Sequence, residues 1–262
     1  MNAAAPVLLR VEGLRKAFGG VRAVDDVSFT VAAGELLAMI GPNGAGKSTC
    51  FNCINGQLRP DSGRVVLTGH DLTGMKPRQI WRLGVGRTFQ IAATYASMTV
   101  AENVQMALIS HARELHRWWG RAADRHRSQA VALLEAVGLG GASEAPCASL
   151  AYGDIKRVEL AVALASEPAL LLMDEPTAGM APRERNDLIA LTKRLVTERG
   201  ISVLFTEHSM DVVFAYADHI FVLARGVLIA SGDAQAIRDN QQVQEVYLGT
   251  GKLTPRRAEA TP

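Results

Sequence analysis

Eight consecutive residues carry the clearest chemistry in the chain. Gly41-Pro42-Asn43-Gly44-Ala45-Gly46-Lys47-Ser48 fits the pattern G-x-x-x-x-G-K-[ST], in which a glycine-rich loop turns backbone N–H groups inward around phosphates. The loop lies between a mostly apolar run, Glu35 to Ile40, and a segment that reads as helix from Lys47. A helix N-terminus therefore adds partial positive charge where phosphates would sit. In that pattern Lys47 reaches the β- and γ-phosphates, and the Ser48 hydroxyl is a ligand for Mg2+. A second constellation, Asp174-Glu175, follows the apolar run Leu170 to Met173. Two carboxylates thus stand at the carboxyl end of a buried strand, where open α/β sheets bind ligands. Asp174 suits holding Mg2+ directly or through water, and Glu175, pointing elsewhere, suits polarising an attacking water. Two lone polar residues, Gln90 after Thr88-Phe89 and His208 after Thr206-Glu207, also follow strand-like runs. Taken alone, each is an ordinary loop position. Beside the phosphate loop, a histidine could hydrogen-bond a γ-phosphate oxygen and a glutamine could sense Mg2+ and water.

These groups need a scaffold, and the apolar patterning supplies one. Leu9 to Glu12 and Val27 to Val31 alternate, and the turn Pro60-Asp61-Ser62-Gly63 precedes a strand-like Arg64 to Leu67. Gly56 is a stop for the helix that opens at Lys47. From about 91 to 167 the chain reads mostly as helix. Ala130, Leu133, Leu134 and Val137 recur at helical spacing up to Gly138, and Ile155, Val158, Val162 and Ala165 form one face of a second helix. Strand and helix then alternate again. Ala169 to Met173 and Ser202 to Thr206 read as strands, Leu188, Leu191 and Leu195 as a helix face closed by Gly200, and Ile220 to Leu223 with Val227 to Ile229 as a hairpin across Arg225-Gly226. The expectation is an α/β core with an inserted helical subdomain, spanning 7–249, and a disordered polar tail over 250–262.

Composition narrows the function classes. The 262 residues are 48% apolar with a net charge of +2, too mild and too dispersed for a nucleic-acid binder. Three cysteines do not make a disulfide framework and point to a reducing compartment. Cys50 and Cys53 form a lone C-x-x-C on the phosphate-loop helix and read as buried small residues rather than metal ligands. No basic flank and apolar core of a signal peptide is present, and Leu160 to Met173, cut by Glu167 and Pro168, falls short of the roughly 20 residues a membrane span needs. His111 to Arg127, with Trp118 and Trp119 among basic residues, reads as a solvated helix with packed aromatics, the other reading being a lipid or membrane-partner contact.

In this order and frame the residues resemble the ATP-binding cassette of ABC transporters, from Leu9 to about Leu248. The resemblance implies a P-loop cassette with a RecA-like core, an antiparallel β subdomain and the helical insertion, binding ATP and Mg2+. Gly41 to Thr49 correspond to the Walker A motif, Phe18 to the aromatic that stacks on adenine, Gln90 to the Q-loop, and Asp174-Glu175 to the Walker B pair. His208 corresponds to the switch histidine. The signature motif falls on Leu150-Ala151-Tyr152-Gly153-Asp154, placed just before the helix from Ile155 to Ala165. Ser48, Gln90 and Asp174 are the implied metal ligands, and Glu175, His208, Lys47 and Gln90 the catalytic set. Ala151 and Tyr152 depart from the usual Leu-Ser-Gly-Gly-Gln, removing a serine hydroxyl, and Ala181 stands where many cassettes carry an acid. Four segments, Gly86-Arg87-Thr88-Phe89-Gln90, Met98 to Val104, the Leu150 to Asp154 signature and the ending Val246-Tyr247-Leu248-Gly249, are similar to the ATPases of branched-chain amino acid importers. Such a subunit pairs head to tail with a second ABC ATPase, either itself or a paralogue. It works with two transmembrane permease subunits and an extracytoplasmic solute-binding protein at the cytoplasmic face of the inner membrane. The alternatives are a lipopolysaccharide-type exporter and a cofactor-assembly ATPase.

Overall fold

The computed structural model describes residues 6–88, 94–114 and 125–248; Phe89, Gln90, Trp118, Trp119 and the tail from Gly249 lie outside them. Two kinds of apolar patterning build two sheets. Alternating burial marks β1 (Val7–Phe18) and β2 (Val21–Ala32), which pair antiparallel along their whole length. Both run well beyond the short stretches whose alternation is visible in sequence. Register shifts around Gly13 and Asp26, both at positive φ, break the two-residue period while the ladder continues. Continuous burial marks β3 (Leu36–Ile40), all five residues of which are buried.

After the phosphate loop come α1 (Lys47–Ile54), β4 (Ser62–Leu67), β5 (His70–Asp71), α2 (Pro77–Arg82) and β6 (Val85–Thr88). Three helices follow: α3 (Val100–His111), α4 (Arg127–Ala136) and α5 (Tyr152–Leu164). A reciprocal pair of hydrogen bonds opens α3, Thr99 Oγ1 accepting from the Glu102 N–H at 3.2 Å and Glu102 Oε2 from the Thr99 N–H at 2.7 Å. The chain then runs through β7 (Leu170–Asp174), α6 (Pro182–Arg199), β8 (Ser202–Thr206), α7 (Met210–Tyr216), β9 (His219–Ala224), β10 (Val227–Gly232), α8 (Ala234–Asp239) and α9 (Gln241–Leu248). The β9–β10 hairpin turns at Arg225 and Gly226, both at positive φ, as the sequence led one to expect.

Among the described residues the first sheet has the order β2-β1-β4-β5 and the second β10-β9-β3-β8-β7-β6. In the second, β9, β3, β8, β7 and β6 are parallel, and β10 closes one edge antiparallel. Strands β3, β7 and β8 are buried on both faces because alternate side chains enter two different cores. Leu36, Ala38, Ile40, Leu171, Met173, Val203 and Phe205 pack among the helices, whereas Leu37, Met39, Leu170, Leu172 and Leu204 pack with α1 and the first sheet. That is why period-2 alternation is absent from their sequences. Helix α1 lies between the sheets, with Cys50, Phe51, Cys53 and Ile54 buried in the second of these cores.

Helix α5 differs from expectation in two respects. It begins at Tyr152 rather than Ile155, so the last three signature residues form its first turn. It is also buried nearly all round, with Lys156, Glu159, Leu160 and Ala163 inside and Ile155 and Val162 only half-buried. Contacts with α3, α4, α6 and β6 surround it, so a one-face reading of its sequence cannot hold.

Candidate nucleotide-binding site

The phosphate loop leaves the carboxyl end of β3, between β8 and β9. Its glycines are set by close packing. A Cβ on Gly46, at φ 104°, would lie 2.2 Å from the Ala23 carbonyl oxygen, and one on Gly41 would lie 2.2 Å from that of Leu223. Backbone hydrogen bonds fix the loop further, from the Ala45 N–H to Pro42 O at 3.1 Å and from the Gly226 N–H to Ala45 O at 2.9 Å. Lys47 is buried, and its ammonium donates to the carbonyls of Gly41 at 2.7 Å and Pro42 at 3.2 Å, folding over the loop it belongs to. Burial lowers the Lys47 pKa, against the attraction of Glu175 and Asp174, which raises it. The loop follows β3, which is paired with β8, and β8 in turn pairs with β7 so that Thr206 stands opposite both Met39 and Asp174.

Register explains how the carboxylates are held. Asp174 pairs with Thr206 across β7 and β8. The fully buried Thr206 hydroxyl donates to Asp174 Oδ1 at 2.8 Å and accepts the Glu175 N–H at 2.9 Å. Glu175 sits at φ 49°, a left-handed conformation that a branched-free carboxylate side chain adopts at a cost. It turns Glu175 away from the strand, and Glu175 Oε1 meets His208 Nε2 at 2.8 Å. Arg87 on β6 approaches Asp174 Oδ2 at 3.4 Å and donates to Asn52 Oδ1 of α1 at 2.8 Å and to Gln57 Oε1 at 3.0 Å. The buried Glu207 accepts from the N–H groups of His208 at 2.8 Å and Ser209 at 3.1 Å, and from the Thr177 hydroxyl.

Lys47, Asp174, Glu175 and His208 therefore converge at the carboxyl ends of the neighbouring strands β3, β8 and β7. Gln90 lies outside the described residues. Phe18 ends β1, half-exposed, with the Lys16 ammonium 5.7 Å from its ring centre. Beside it opens a cleft of about 420 Å³ bordered by Lys16, Ala17, Arg22, Val24 and Asp61. The signature residues lie elsewhere, against the loop that follows Glu175: Ala151, Gly153, Asp154 and Arg157 border a cavity of about 70 Å³ with Met180 and Glu184. Ala151 caps α5 with no side-chain hydrogen bond, and the exposed Tyr152 ring carries the Lys156 ammonium 5.5 Å from its centre.

The donor set suits Mg2+. Ser48, exposed on the first turn of α1, and Asp174 offer hard oxygens, and the described residues contain no cluster of three or more His, Cys, Asp or Glu that would cage a metal by itself. One or two protein oxygens completed by substrate phosphates is the usual Mg2+ arrangement. Arg87, Thr206 and Glu207 were not singled out from sequence as site residues. Each is one polar residue at a strand end, and only the strand register reveals what it faces.

Comparison with known proteins places these features. The profile of a family described as "ABC transporter" matches residues 24–178, and that of "Branched-chain amino acid ATP-binding cassette transporter" matches residues 227–252. The chain is 39% identical to the high-affinity branched-chain amino acid transport ATP-binding protein BraF of Pseudomonas aeruginosa, over 92% of this chain and 98% of that one. It is 36% identical to LivG of Escherichia coli, of the same description, over 92% and 98%. The ADP conformation of MJ1267, an ATP-binding cassette of an ABC transporter, superposes with a TM-score of 0.84 at 34% identity, covering 93% of this chain and 99% of that one. The structure of cbiO1 from Clostridium perfringens, part of the ABC transporter complex cbiONQ, superposes with a TM-score of 0.79 at 27% identity, covering 93% of this chain and 96% of that one.

Proposed function

The chain belongs to the ATP-binding cassette family of ABC transporters, and from that premise we propose that it is the ATPase subunit energising an importer of branched-chain amino acids. The observation that carries the catalytic part is the 2.8 Å contact of Glu175 with His208, held beside the buried Lys47 by the strained turn after β7. The relatives' shared description favours the importer over lipopolysaccharide export or cofactor assembly.

In this reading Gly41 to Thr49 cradle the phosphates of ATP, and Phe18 stacks on the adenine. Ser48 and Asp174 would hold Mg2+, with Gln90 as a further ligand, and the ion would supply neutralisation of phosphate charge. Glu175 accepts the proton of the attacking water, while Lys47 and His208 stabilise charge developing on the γ-phosphoryl oxygens. Leu150 to Asp154 complete the site of a second ATPase subunit paired head to tail. With Ala151 in place of serine, the backbone of the α5 N-terminus makes that contact.

No helix among the described residues is long and apolar enough to cross a membrane; in this reading the chain attaches at the cytoplasmic face through permease subunits. A groove of about 700 Å³ beside β6 suits such a partner, with Ile80, Trp81, Ala107 and Val162 on its walls and Arg78 and Arg82 among its lining. Arg82 is further crowded by Arg113 and Arg78. Like charges gathered around an apolar trough favour an amphipathic permease segment bearing carboxylates.

The test is Glu175→Gln in the full chain. ATP binding is expected to persist while hydrolysis falls by at least about 10²-fold. Light scattering then reads pairing: an ATP-dependent doubling of mass means the subunit pairs with itself, and a persistent monomer means a distinct partner ATPase. Wild-type turnover in this variant would remove Glu175 from the catalytic role.

A further inference from the structure

We infer that Glu207 is a positioning residue that ties His208 to the loop following Glu175, so that displacement of that loop is passed to the Glu175–His208 pair. The inference rests on the proposed roles of those two residues and concerns how they are aligned.

Glu207 directly follows β8 and is only 4% exposed. A carboxylate removed from water needs several donors to offset its lost hydration. Three neutral ones supply them, and they come from two different loops. Oε1 accepts the N–H groups of His208 and Ser209, which fixes the turn carrying the histidine ring. Oε2 accepts from the hydroxyl of Thr177, itself buried two residues beyond Glu175. A carboxylate serving only as a cap for the turn into α7 would need Oε1 alone. The second oxygen adds nothing to the turn; it joins the turn to its neighbour.

The neighbouring loop has reasons to move as a unit. From Thr177 it runs to Gly179 and Met180, which lie against Tyr152 and Gly153 of the signature turn, and then enters α6 at Pro182. Helix α6 makes a parallel connection, Arg185 donating to the Ser209 hydroxyl one residue past the histidine. The histidine turn is thus fastened at Glu207 and Ser209 to a segment abutting the signature surface. His208 itself is 45% exposed at its side chain and is otherwise positioned through Glu175. A shift of a few tenths of an ångström in the Thr177 loop would reach the imidazole through two hydrogen bonds.

The experiment uses four variants of the full chain, with ATP affinity, single-turnover hydrolysis and denaturation midpoint measured for each. Thr177→Val cuts only the bridge, at nearly constant volume. It and Glu207→Ala are expected to slow hydrolysis about 10- to 100-fold with ATP affinity within about 3-fold of wild type, the signature of lost alignment rather than lost binding. Glu207→Gln can still accept both N–H groups and can donate to the Thr177 oxygen, so its rate should recover to within about 3-fold of wild type. Wild-type hydrolysis in Thr177→Val, or losses that merely track the unfolded fraction, would overturn the tie. His208→Ala separates the two levels. If it is inactive while Thr177→Val is normal, the tie alone is wrong; if it hydrolyses normally, the proposed role of His208 fails and the tie with it.

Discussion

Thr206→Val tests whether one hydroxyl organises both carboxylates. Valine matches threonine in shape, so the substitution in this fully buried site subtracts two hydrogen bonds and little packing. Donation to the Asp174 carboxylate at 2.8 Å is a bond to a charged group, worth about 1.5–3 kcal/mol. The Glu175 N–H, at 2.9 Å from the hydroxyl, would be left facing a methyl group, and an unsatisfied donor costs about 1–3 kcal/mol. Some relaxation is available, because Glu175 at φ 49° can release its left-handed turn by swinging the peptide outward. The net loss is therefore about 3 kcal/mol, the lower part of the combined range. For a domain of this size that lowers Tm by about 6–12 °C. Urea denaturation at unchanged slope measures the stability term, and hydrolysis per folded molecule measures the displacement of Glu175. Thr206→Ser keeps both bonds and should lose only about 1 kcal/mol for the methyl group. A valine variant within about 0.5 kcal/mol of wild type and hydrolysing normally would refute the reasoning, because the bridge would then hold nothing.

Three further outcomes follow from the loop and the helix behind it. Gly46→Ala drives a Cβ to 2.2 Å from the fixed Ala23 carbonyl oxygen, so ATP affinity should drop by at least about 10-fold, whereas at Gly44 nothing lies within 4 Å and alanine should cost only about 1 kcal/mol for its positive φ; equal affinities in an ATP titration would show that the loop yields. Burial pushes up the thiols of Cys50 and Cys53, the latter to about 11, so at pH 8 the native chain should resist a thiol reagent that modifies all three cysteines after denaturation. Because the folded state favours the neutral thiol, the stability gained from Cys53 is present below its ordinary pKa of 9.0 and is lost as pH rises from there through about 11; a denaturation midpoint flat across that window in wild type, and equal to that of Cys53→Ala, would contradict the assignment.

The chemistry-bearing residues were legible in sequence where a spacing rule constrains them, and illegible where only tertiary register does. The phosphate loop declares itself because backbone N–H groups, helix dipole and Lys47 must occupy consecutive positions. Asp174-Glu175 stands out as two acids ending an apolar run. Nothing local marks Thr206, an unremarkable β-branched residue in a buried strand, as the residue opposite Asp174. Arg87 likewise looks like a surface charge until β6 is laid beside β7. The long pairing of β1 with β2 was only partly visible because bulges shift the side-chain period. The resemblance places Tyr152 to Asp154 with the signature motif before the helix, and the structure makes them the first turn of α5, opening at Ala151 with no side-chain cap.

The same register gives the site a charge logic that no single residue carries. Lys47 is bound to its own loop carbonyls, Asp174 faces Arg87, and Glu175 faces His208. Each group thus has a partner of modest strength that phosphate chemistry can outbid by exchange rather than by filling bare charge. For Lys47 the exchange is favourable, since neutral carbonyl acceptors give way to anionic oxygens and charge-assisted bonds are roughly twice as strong. Burial already disfavours its ammonium, which makes an arriving anion worth more to it. Were Asp174 to take the metal as proposed, Arg87 would keep Asn52 and Gln57, so that release would leave no guanidinium stranded. The Glu175–His208 contact is the exchange with a mechanical consequence. If they act on the γ-phosphate as proposed, both residues turn toward it together, and both are moored at the backbone by Thr206 and Glu207, adjacent residues at the end of β8. In the proposed reading, alignment of Glu175 and His208 is therefore fixed by one strand end, and whatever displaces that strand end misaligns both at once.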